Sequence, residues 1–559
     1  MATETLLKKK FDVSTTVHFD VSFEEGRGDL TTSIALQRAK EIKKAPKEIA
    51  DAIAGGLEHI PGVQKIEVAG NGYVNVTLKS SELSSALVVA IAACQPKKAK
   101  EKDAPVIVEY SGPNIAKPLG IHHILSSVIG QSIANIYHHE GYKTISLNHI
   151  GDWGTQFGKL AVAFKKWGTK PIEKHSIDEL LSLYVRFHTE AEKNEVLEDE
   201  GRLAFRKLEE GDTELRAFWQ TVVDITMQSM ERLYERLHVH FDFTHGESFY
   251  EDKMAPIIAE GKKKKVFSEG KEGALIVEFP EASKLPPAIV IKADGSTIYL
   301  TRDLATARYR IDTWNPQAIL YVVDVAQQLY FRQLFMTLEM LTWELPKLEH
   351  VLFGRMRFAD KSMSTRKGNI LKLEEVLDEA VSRATKIIEE RGEKIQTDDP
   401  KALAEMMGVG SVVYGVLSQN RKMDMVFDWD KMLSFEGNSA PYLQYTYARG
   451  RSVLRKASLE TPSMVTATYA LSIHERTLTK LLVVFGEVVE ESRSDHLPHK
   501  LCQHLYEICQ AYNAFYNADE ILKADDADKR AYRLSLTSAT CTVLKTGAQL
   551  LTLRVPERM

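Results

Sequence analysis

The sequence predicts an α/β protein, with a small α+β domain before the α/β part and a mostly helical domain after it. Two β-rich runs at 106–110 and 144–150 flank a segment of helical periodicity, which is the pattern of a βαβ unit. Nearer the N-terminus, Gly70-Asn71-Gly72 separates two short runs of strand character, a strong hairpin signal. After residue 400 the apolar residues recur mainly with the helical period. The predicted domains are 1–100, 101–400 with an insertion at about 160–290, and 401–559.

The N-terminal domain combines helical and strand patterns. Residues 31–53 have helical spacing, and Pro46 is expected to divide them into two helices because proline lacks the N–H that a helix interior needs. Strands are predicted at 64–68 and 73–78, on either side of the Gly-Asn-Gly turn. The charged stretch 96–103 has few apolar residues, which indicates a linker to the next domain.

The central domain is predicted to contain a parallel sheet of the nucleotide-binding type. Its first helix places five residues on one apolar face: Val128, Ile129, Ile133, Ile136 and Tyr137. Strand character returns at 289–300 and 318–323, and 375–390 has the pattern of an amphipathic helix. Ligands of such sheets bind at the carboxyl ends of the strands, so we expect the site to lie there.

The bulk composition is that of a soluble globular protein with no overall nucleic-acid signal. Hydrophobic residues make up 44%, charged residues 27%, and the net charge is -5, so an RNA surface has to be a local patch. The four cysteines form no CxxC pair, which argues against a disulfide framework or a structural zinc site, and we assign no metal ligands. No signal peptide and no membrane-spanning run is recognisable, so we expect a cytoplasmic protein.

Three short motifs indicate where chemistry takes place. The basic segment 361–369 suits a site that handles a triphosphate, although alone it reads equally well as a solvated loop. The segment 113–118 (PNIAKP) alone is more often a simple turn. The segment 151–158 (GDWGTQFG) is harder to explain as packing, because its three glycines allow the backbone to approach a ligand.

In this order and spacing, the motifs resemble those of the class I aminoacyl-tRNA synthetases, and specifically the arginyl-tRNA synthetases. Residues 363–369 (MSTRKGN) resemble the KMSKS loop of that family, and 151–158 resemble a stretch characteristic of the arginyl enzymes. Further similarity covers essentially the whole chain, at 28–30, 72–75, 299–303, 439–445 and 555–559. The resemblance implies a Rossmann-like class I catalytic domain, an N-terminal tRNA-contacting domain and an all-helical anticodon-binding domain.

The resemblance also implies an activity, an arginine–tRNA ligase of translation. Such an enzyme forms arginyl-adenylate from arginine and ATP with Mg²⁺, releases pyrophosphate, and transfers arginine to the 3′ end of tRNA(Arg). The protein would have no membrane partner and would be a monomer. The first step needs no side-chain nucleophile, because positioning and charge stabilisation supply the catalysis.

Site residues follow from the resemblance in four groups. The arginine-binding residues are Asn114, Glu247, Tyr299, Asp303 and Gln327. The ATP-binding residues are Gly120, His123, Met363, Ser364 and Lys367. The catalytic residues are Lys117, His122, His123, Lys361, Arg366 and Lys367. The tRNA-binding residues are Asn75, Tyr442, Tyr445 and Met559.

Within the arginine group, Asp303 is expected to bind the guanidinium, since a carboxylate matches that fork of donors. Tyr299 precedes Asp303 by four residues, a spacing that places both side chains on one face if the segment is helical. For Asp303 alone, a helix cap or a surface ion pair is the competing interpretation.

Two positions depart from the family pattern. Where the family has its HIGH element, this chain has Gly120-Ile121-His122-His123, so only the last histidine matches. We hypothesise that His122 supplies the missing imidazole while Gly120 relaxes the backbone. The second departure is Tyr330, where the family usually has histidine.

Alternatives to the ligase interpretation remain open. A non-catalytic tRNA-binding paralogue has the altered 120–123 element as its only support. A different Rossmann-type nucleotidyl transferase is disfavoured by the helical C-terminal third. One cluster of that third is either a stacking and phosphate surface for tRNA or a buried aromatic face with solvated cations: Tyr442, Tyr445, Tyr447, Arg449, Arg451, Arg455 and Lys456.

Overall fold

The computed structural model describes residues 2–24, 26–92, 94–99, 103–293, 295–359, 371–392, 395–459 and 462–559. The basic segment 361–369 lies outside these residues, and so do the predictions made for it: Lys361, Met363, Ser364, Arg366 and Lys367.

The N-terminal part is an α+β unit built on a four-stranded antiparallel sheet. Its elements are α1 (Ala2–Phe11), β1 (Asp20–Val21), β2 (Leu30–Thr32), α2 (Ile34–Ile42), α3 (Pro46–Leu57), β3 (Val63–Ala69), β4 (Tyr73–Leu78) and α4 (Ser80–Ala92). The strand order is β1-β2-β4-β3. Pro46 is the first residue of α3, so the predicted division of the helical segment is confirmed. The predicted hairpin is confirmed as well, since β3 and β4 pair antiparallel around the glycine turn.

The central part contains the largest sheet and the helices that surround it. Its first half runs through β5 (Val106–Glu109), α5 (His123–His139), β6 (Thr144–Asn148), α6 (Thr155–Trp167), α7 (Ile177–Ala191), α8 (Val196–Glu209), α9 (Thr213–Leu237), β7 (Phe243–Thr244) and α10 (Met254–Lys263). Its second half runs through β8 (Phe267–Glu269), β9 (Leu275–Val277), β10 (Ala288–Ile291), α11 (Tyr299–Trp314), β11 (Ala318–Tyr321), α12 (Gln328–Met340), β12 (Lys347–His350), β13 (Met356–Phe358) and α13 (Leu373–Arg391).

Five parallel strands form the central sheet in the order β12-β11-β5-β6-β7. The predicted βαβ unit is confirmed as β5, α5 and β6. Val106 and Val108 join one apolar cluster while Ile107 joins the cluster on the other face. Side chains alternate across a strand, so both faces of the sheet are buried, as is usual for parallel sheets.

The segment predicted as an insertion contributes to this sheet. Helices α6 to α9 lie between β6 and β7 in the chain, and Phe243–Thr244 then adds the edge strand next to β6. The rest of the segment supplies β8, β9 and β10, which form a separate antiparallel sheet in the order β10-β9-β8.

One strand prediction is wrong in part. The run 289–300 is a strand only as far as Ile291, and its pairing is antiparallel with β9 rather than in the central sheet. A turn follows, in which the Gly295 N–H donates to the Lys292 carbonyl, and Tyr299 begins α11. The apolar residues 298–300 therefore belong to the start of a helix, where Leu300 is buried and Tyr299 is exposed.

The C-terminal part is mainly helical, as predicted. Its elements are α14 (Pro400–Leu417), β14 (Met425–Phe427), α15 (Trp429–Met432), α16 (Ala440–Lys456), α17 (Ile473–Val483), α18 (Phe485–Asp495), α19 (Pro498–Ala518) and α20 (Ala527–Leu550). The short β14 pairs in parallel with β13 from the central part. One continuous apolar core runs from β5 and α5 into these helices, so the helical part is fixed against the sheet. No helix among the described residues is long and apolar enough to cross a membrane.

Candidate active site

A large cavity opens at the carboxyl ends of the central strands. Its volume is about 660 Å³, and its wall includes the residues that follow β5, β6 and β11. This is where open α/β sheets bind ligands. The cavity therefore lies where the sequence analysis expects the site.

A network of buried hydrogen bonds shapes the turn after β5. Ser111 and Gly112 both have positive φ, of 72° and 56°. The Ser111 N–H donates to Ser126 Oγ at 2.9 Å, and the Gly112 N–H donates to Asn148 Oδ1 at 3.0 Å. Ser126 in turn donates to the Val322 carbonyl at 2.6 Å. These bonds tie the ends of β5, β6 and β11 together around the mouth of the cavity.

The motifs at 113–118 and 151–158 meet directly. Asn114 and Gly151 form a parallel bridge, and the Gly151 N–H donates to the Pro113 carbonyl at 2.9 Å. A Cβ at position 151 would lie 2.3 Å from Asn114 Oδ1, which no side chain tolerates without movement. Gly151 is therefore required for the close approach that places Asn114 on the cavity wall.

The acidic residue of the second motif braces the neighbouring loop. Asp152 is buried, and it accepts from the Ser248 N–H at 2.8 Å and from Ser248 Oγ at 2.6 Å. The Glu247 N–H donates to the Ile150 carbonyl at 3.0 Å. Asp152 of the 151–158 motif thus holds the loop that carries Glu247, and the sequence of the motif alone does not indicate this role.

Four carboxylates from different elements line the cavity: Glu109, Glu247, Asp303 and Asp324. Glu109 forms an ion pair with the fully buried Arg310, and Glu247 forms one with Arg302 at 3.1 Å. No lysine or arginine of the described chain forms an ion pair with Asp303. The nitrogen His149 Nε2 lies 3.9 Å from Asp303 Oδ1.

The pKa shifts of Glu247 and Asp303 agree with this difference between carboxylates that have an arginine partner and one that has none. Burial raises the pKa of Glu247, and the neighbouring Arg302 guanidinium opposes that rise. Burial also raises the pKa of Asp303, with His149 and a hydrogen bond from Tyr330 acting in the opposite direction. Asp303 is therefore the carboxylate of this wall that has most to gain from a bound cation.

Tyr299 and Asp303 lie in the first turn of α11, and both line the cavity. Tyr299 is 69% exposed, so its ring forms the rim rather than the floor. Gln327 lines the opposite side, at the end of a short 3₁₀ helix whose first N–H groups are capped by Asp324. The five residues predicted to bind arginine, which include Asn114 and Glu247, thus surround one cavity.

The altered element at 120–123 also reaches this cavity. His122 and His123 both line it, with ring centroids 4.1 Å apart. His123 Nδ1 lies 3.0 Å from the Gly120 nitrogen and 3.1 Å from the Gly120 carbonyl oxygen, and these contacts fix the ring at the start of α5. Burial lowers the pKa of His123 to about 4, with the His122 ring acting in the same direction, so His123 is neutral at pH 7. Gly120 forms a backbone bridge with Lys372 and is not part of the cavity wall.

Lys117 is not brought to the cavity. Its Nζ lies 5.1 Å from the centroid of the Tyr184 ring, in contact with α7. That it contacts the phosphates of ATP stays a prediction, because Lys117 does not line the cavity in which ATP would bind.

Several wall residues were not recognised from the sequence: Glu109, His149, Asp324 and Arg355. Glu109 and His149 stand at the carboxyl ends of predicted strands, so the strand prediction could have indicated them. Asp324 caps the short 3₁₀ helix through the Ala326 N–H at 2.7 Å. Arg355 is the one arginine among the wall residues of the described chain, and only the fold brings it there.

Among the residues predicted to bind tRNA, Asn75 is only 4% exposed. It lies in β4, and its Oδ1 accepts from Thr31 Oγ1 at 2.8 Å. Its neighbours Val74 and Val76 join the apolar cluster with α2 and α3, so alternation along β4 directs Asn75 to the other face of the sheet. Its tRNA-binding role stays a prediction.

The predicted residues of the helical part fall into two groups. Tyr445 and Met559 line a second cavity of about 560 Å³ together with Arg449, Arg455 and Lys456. Tyr442 lies outside that cavity, where its hydroxyl accepts from Asn513 Nδ2 at 3.1 Å. Some of the aromatic and basic residues of this cluster thus line one cavity, whereas Tyr442 does not.

The remaining members of the basic cluster hold the C-terminal tail. The Tyr447 hydroxyl donates to Glu557 Oε1 at 2.8 Å, and Arg451 Nε donates to Glu557 Oε2 at 2.7 Å. Arg455 also donates to the Glu557 carbonyl at 2.7 Å. Tyr447 is buried, so it is not available as a stacking platform.

Comparison with known proteins covers the whole chain. The family described as "tRNA synthetases class I (R), catalytic domain" matches residues 82–429. The "DALR anticodon binding domain" matches 443–559, and the "Arginyl tRNA synthetase N terminal domain" matches 4–78.

Individual relatives agree. A protein of Fusobacterium nucleatum named arginine–tRNA ligase is 39% identical over 97% of this chain and 95% of its own length. One of Clostridioides difficile with the same name is 41% identical over 93% of this chain and 92% of its own. The Thermus thermophilus arginyl-tRNA synthetase structure is 25% identical, with a TM-score of 0.79 over 100% of this chain and 99% of that one. The Plasmodium falciparum arginyl-tRNA synthetase structure, 24% identical with a TM-score of 0.81 over 100% and 98%, shares the fold.

Proposed function

The chain belongs to the arginyl-tRNA synthetases of class I, and from this premise we propose that it is an arginine–tRNA ligase of translation. In the first step the arginine carboxylate attacks the α-phosphate of ATP, which yields arginyl-adenylate and pyrophosphate. In the second step the terminal ribose of tRNA(Arg) takes the arginyl group. The chain's side chains position the reactants and stabilise charge in both steps.

The observation that carries this proposal is the charge pattern of the cavity. Two of the wall carboxylates, Glu109 and Glu247, have arginine partners from the chain itself, whereas Asp303 and Asp324 have none among the described residues. Because Asp324 already caps a short 3₁₀ helix through the Ala326 N–H, we infer that Asp303 is the partner of a planar cation that enters the cavity. The guanidinium of arginine has the donor geometry for that partner.

The remaining arginine contacts follow from the same wall. Glu247 and Asn114 would hold the α-amino group, since both side chains line the cavity that Asp303 lines. Tyr299 at the rim would cover the aliphatic stem, and Gln327 would add a polar contact from the opposite side.

ATP would lie beside the 120–123 element and the basic segment 361–369. His123 is neutral at pH 7 and its Nδ1 already contacts the Gly120 backbone, so its contribution is a neutral one through Nε2. His122 would face the phosphates, and Arg355 lines the same cavity. Most of the positive charge would come from the basic residues that the family resemblance assigns: Lys117, Lys361, Arg366 and Lys367.

We further propose that ATP enters as its magnesium complex, with the cation bound by phosphate oxygens and water. The Tyr445 and Met559 cavity would receive part of the anticodon stem-loop, where Arg449 and Lys456 are available to phosphates. We propose that the enzyme acts as a cytoplasmic monomer, which light scattering of the purified protein tests.

The deciding experiment is charging of bulk tRNA with each amino acid in turn, in the presence of ATP and magnesium. Charging with arginine alone is the expected result, and omission of magnesium is the control. Pyrophosphate exchange with and without tRNA separates activation from transfer. Retained tRNA binding without adenylate formation would favour a non-catalytic paralogue, and nucleotide binding without tRNA binding would favour another nucleotidyl transferase.

A further inference from the structure

Tyr330 contacts the carboxylate that would bind the guanidinium. It lies near the start of α12, and its hydroxyl donates a hydrogen bond to Asp303 Oδ2 on α11. The two helices follow different strands of the sheet system, so the contact fixes Asp303 from outside its own helix. The Tyr330 ring packs against the apolar cluster beneath the sheet, which limits its movement.

The two oxygens of Asp303 are therefore not equivalent. Oδ2 has the Tyr330 hydroxyl as its donor, whereas the nearest histidine nitrogen, His149 Nε2, lies 3.9 Å from Oδ1. That distance is too long for a hydrogen bond. In the described chain Oδ1 thus has no hydrogen-bond donor, and it is the oxygen open to a ligand.

We propose that Tyr330 is a positioning residue for arginine recognition, which fixes the Asp303 carboxylate with Oδ1 turned to the substrate and keeps it ionised. This inference rests on the proposed function. A donor that bonds the ionised form favours that form, and so opposes the effect of burial. The consequence is selection of a cationic guanidinium over a neutral ureido group of the same shape.

The charged and titratable groups around Asp303 come from every element packed against it: Glu109 on β5, His149 after β6, Glu247 before α10, Arg310 on α11, Tyr321 on β11 and Tyr330 on α12. Glu109 with Arg310, and Glu247 with Arg302, form internal ion pairs that largely cancel. His149 and Tyr330 therefore determine the balance at Asp303.

A phenol suits this role better than an imidazole. Burial, together with the negative charge of Asp303, holds the pKa of Tyr330 well above its usual range, so the hydroxyl keeps its proton at every working pH. A histidine would change its charge between about pH 5 and 8. Tyr330 thus supplies a donor whose state does not vary with pH.

The test is Tyr330→Phe in the full chain, assayed by charging kinetics over arginine concentration and pH. We expect the KM for arginine to rise about tenfold, the usual effect of removing one hydrogen bond to a charged group, with a much smaller change in kcat. The acidic limb of kcat/KM should move up by about one pH unit, because Asp303 loses a donor. Citrulline, the neutral isostere, should inhibit the variant more strongly relative to arginine than it inhibits the wild type at the same low pH.

Tyr532→Phe is the matched control, because its buried hydroxyl bonds Thr479 Oγ1 at 2.8 Å within the helical part. It should keep the wild-type pH profile. Should Tyr330→Phe not fold, Tyr330→His replaces it, and its KM for arginine should rise as pH falls through the imidazole pKa. An unchanged KM and acidic limb in Tyr330→Phe, or a pH-independent KM in Tyr330→His, would overturn the inference. Failure of the wild type to charge arginine would instead reject the proposed function.

Discussion

Replacement of Asp303 by asparagine removes one charge from the cavity while it keeps the shape of the side chain. The arginine guanidinium would then lose a carboxylate that forms no ion pair with any arginine or lysine of the described wall. Removal of one partner of a buried ion pair costs about 3–5 kcal/mol. The Asp303 side chain is 26% exposed, which places the cost at the lower end, about 3 kcal/mol or a roughly 150-fold loss in kcat/KM.

The same substitution should not destabilise the free protein. Burial raises the pKa of Asp303 above its unfolded value, so the ionised group lowers stability at neutral pH. For a carboxyl with a raised folded pKa, stability recovers as pH falls through that pKa. Asp303→Asn is therefore expected to have a Tm equal to or above that of the wild type at pH 7 without ligand.

Two measurements check this reasoning together, charging kinetics with arginine as the varied substrate and thermal unfolding with and without arginine. Arginine should raise the Tm of the wild type but not of the variant, because a ligand stabilises only the protein that binds it. The control is Asp312→Asn on the same helix, an exposed carboxylate paired with Arg308 at 2.8 Å. A variant that charges arginine as well as the wild type, or that loses activity together with a large fall in Tm, would refute a guanidinium-binding role.

Three further substitutions test other parts of the structure. His122→Ala should slow arginyl-adenylate formation by about 10²–10³-fold in pyrophosphate exchange if its imidazole meets the phosphates, and unchanged activation kinetics would remove that hypothesis. Gly151→Ala puts a Cβ 2.3 Å from Asn114 Oδ1, so the KM for arginine should rise about tenfold while the Tm changes little, since one displaced hydrogen bond is involved. In the wild type, the 2.7 Å contact with buried His496 lowers the pKa of Glu349 from an ordinary 4.5 to about 2, and Glu349→Gln removes the ionised partner of that contact. That contribution is complete above pH 4.5 and is lost as pH falls through about 2, so the Tm deficit of Glu349→Gln should be large at pH 7 and shrink toward pH 2, and a pH-independent deficit would contradict it.

Local patterns determined the parts of the fold that the sequence predicted correctly. The division at Pro46, the hairpin at 70–72 and the βαβ unit each depend on residues close together in the chain. The strand prediction for 289–300 was wrong in part because a local pattern of apolar residues does not show where one element ends. Those residues belong to the end of a strand and the start of a helix, and the strand ends where its pairing with β9 ends.

The candidate site was predictable where a motif names its own residues, and not where partners come from distant elements. Asn114 and Asp303 stand in recognisable segments, and both lie on the cavity wall. The pairing of Glu109 with Arg310 needs α11 to pack across β5, which no spacing in the sequence indicates. Asn75 shows a related limit, since strand alternation separates it from Val74 and Val76 but does not say that its own face is buried as well.

The charge pattern of the wall explains how an acidic cavity can be selective rather than merely cation-binding. Several unpaired carboxylates in a half-buried site would repel one another and accept any cation. Arg302 and Arg310 neutralise Glu247 and Glu109 within the protein, and Asp324 caps a short 3₁₀ helix, which leaves Asp303 as the carboxylate we assign to the ligand.

A single, oriented carboxylate favours a ligand that can present a planar donor edge, whereas the compact ammonium of lysine offers no such geometry. In this structure selectivity depends less on how many acids surround the cavity than on which of them lack a partner within the chain. The Tyr330 hydroxyl then determines which oxygen of Asp303 the ligand meets.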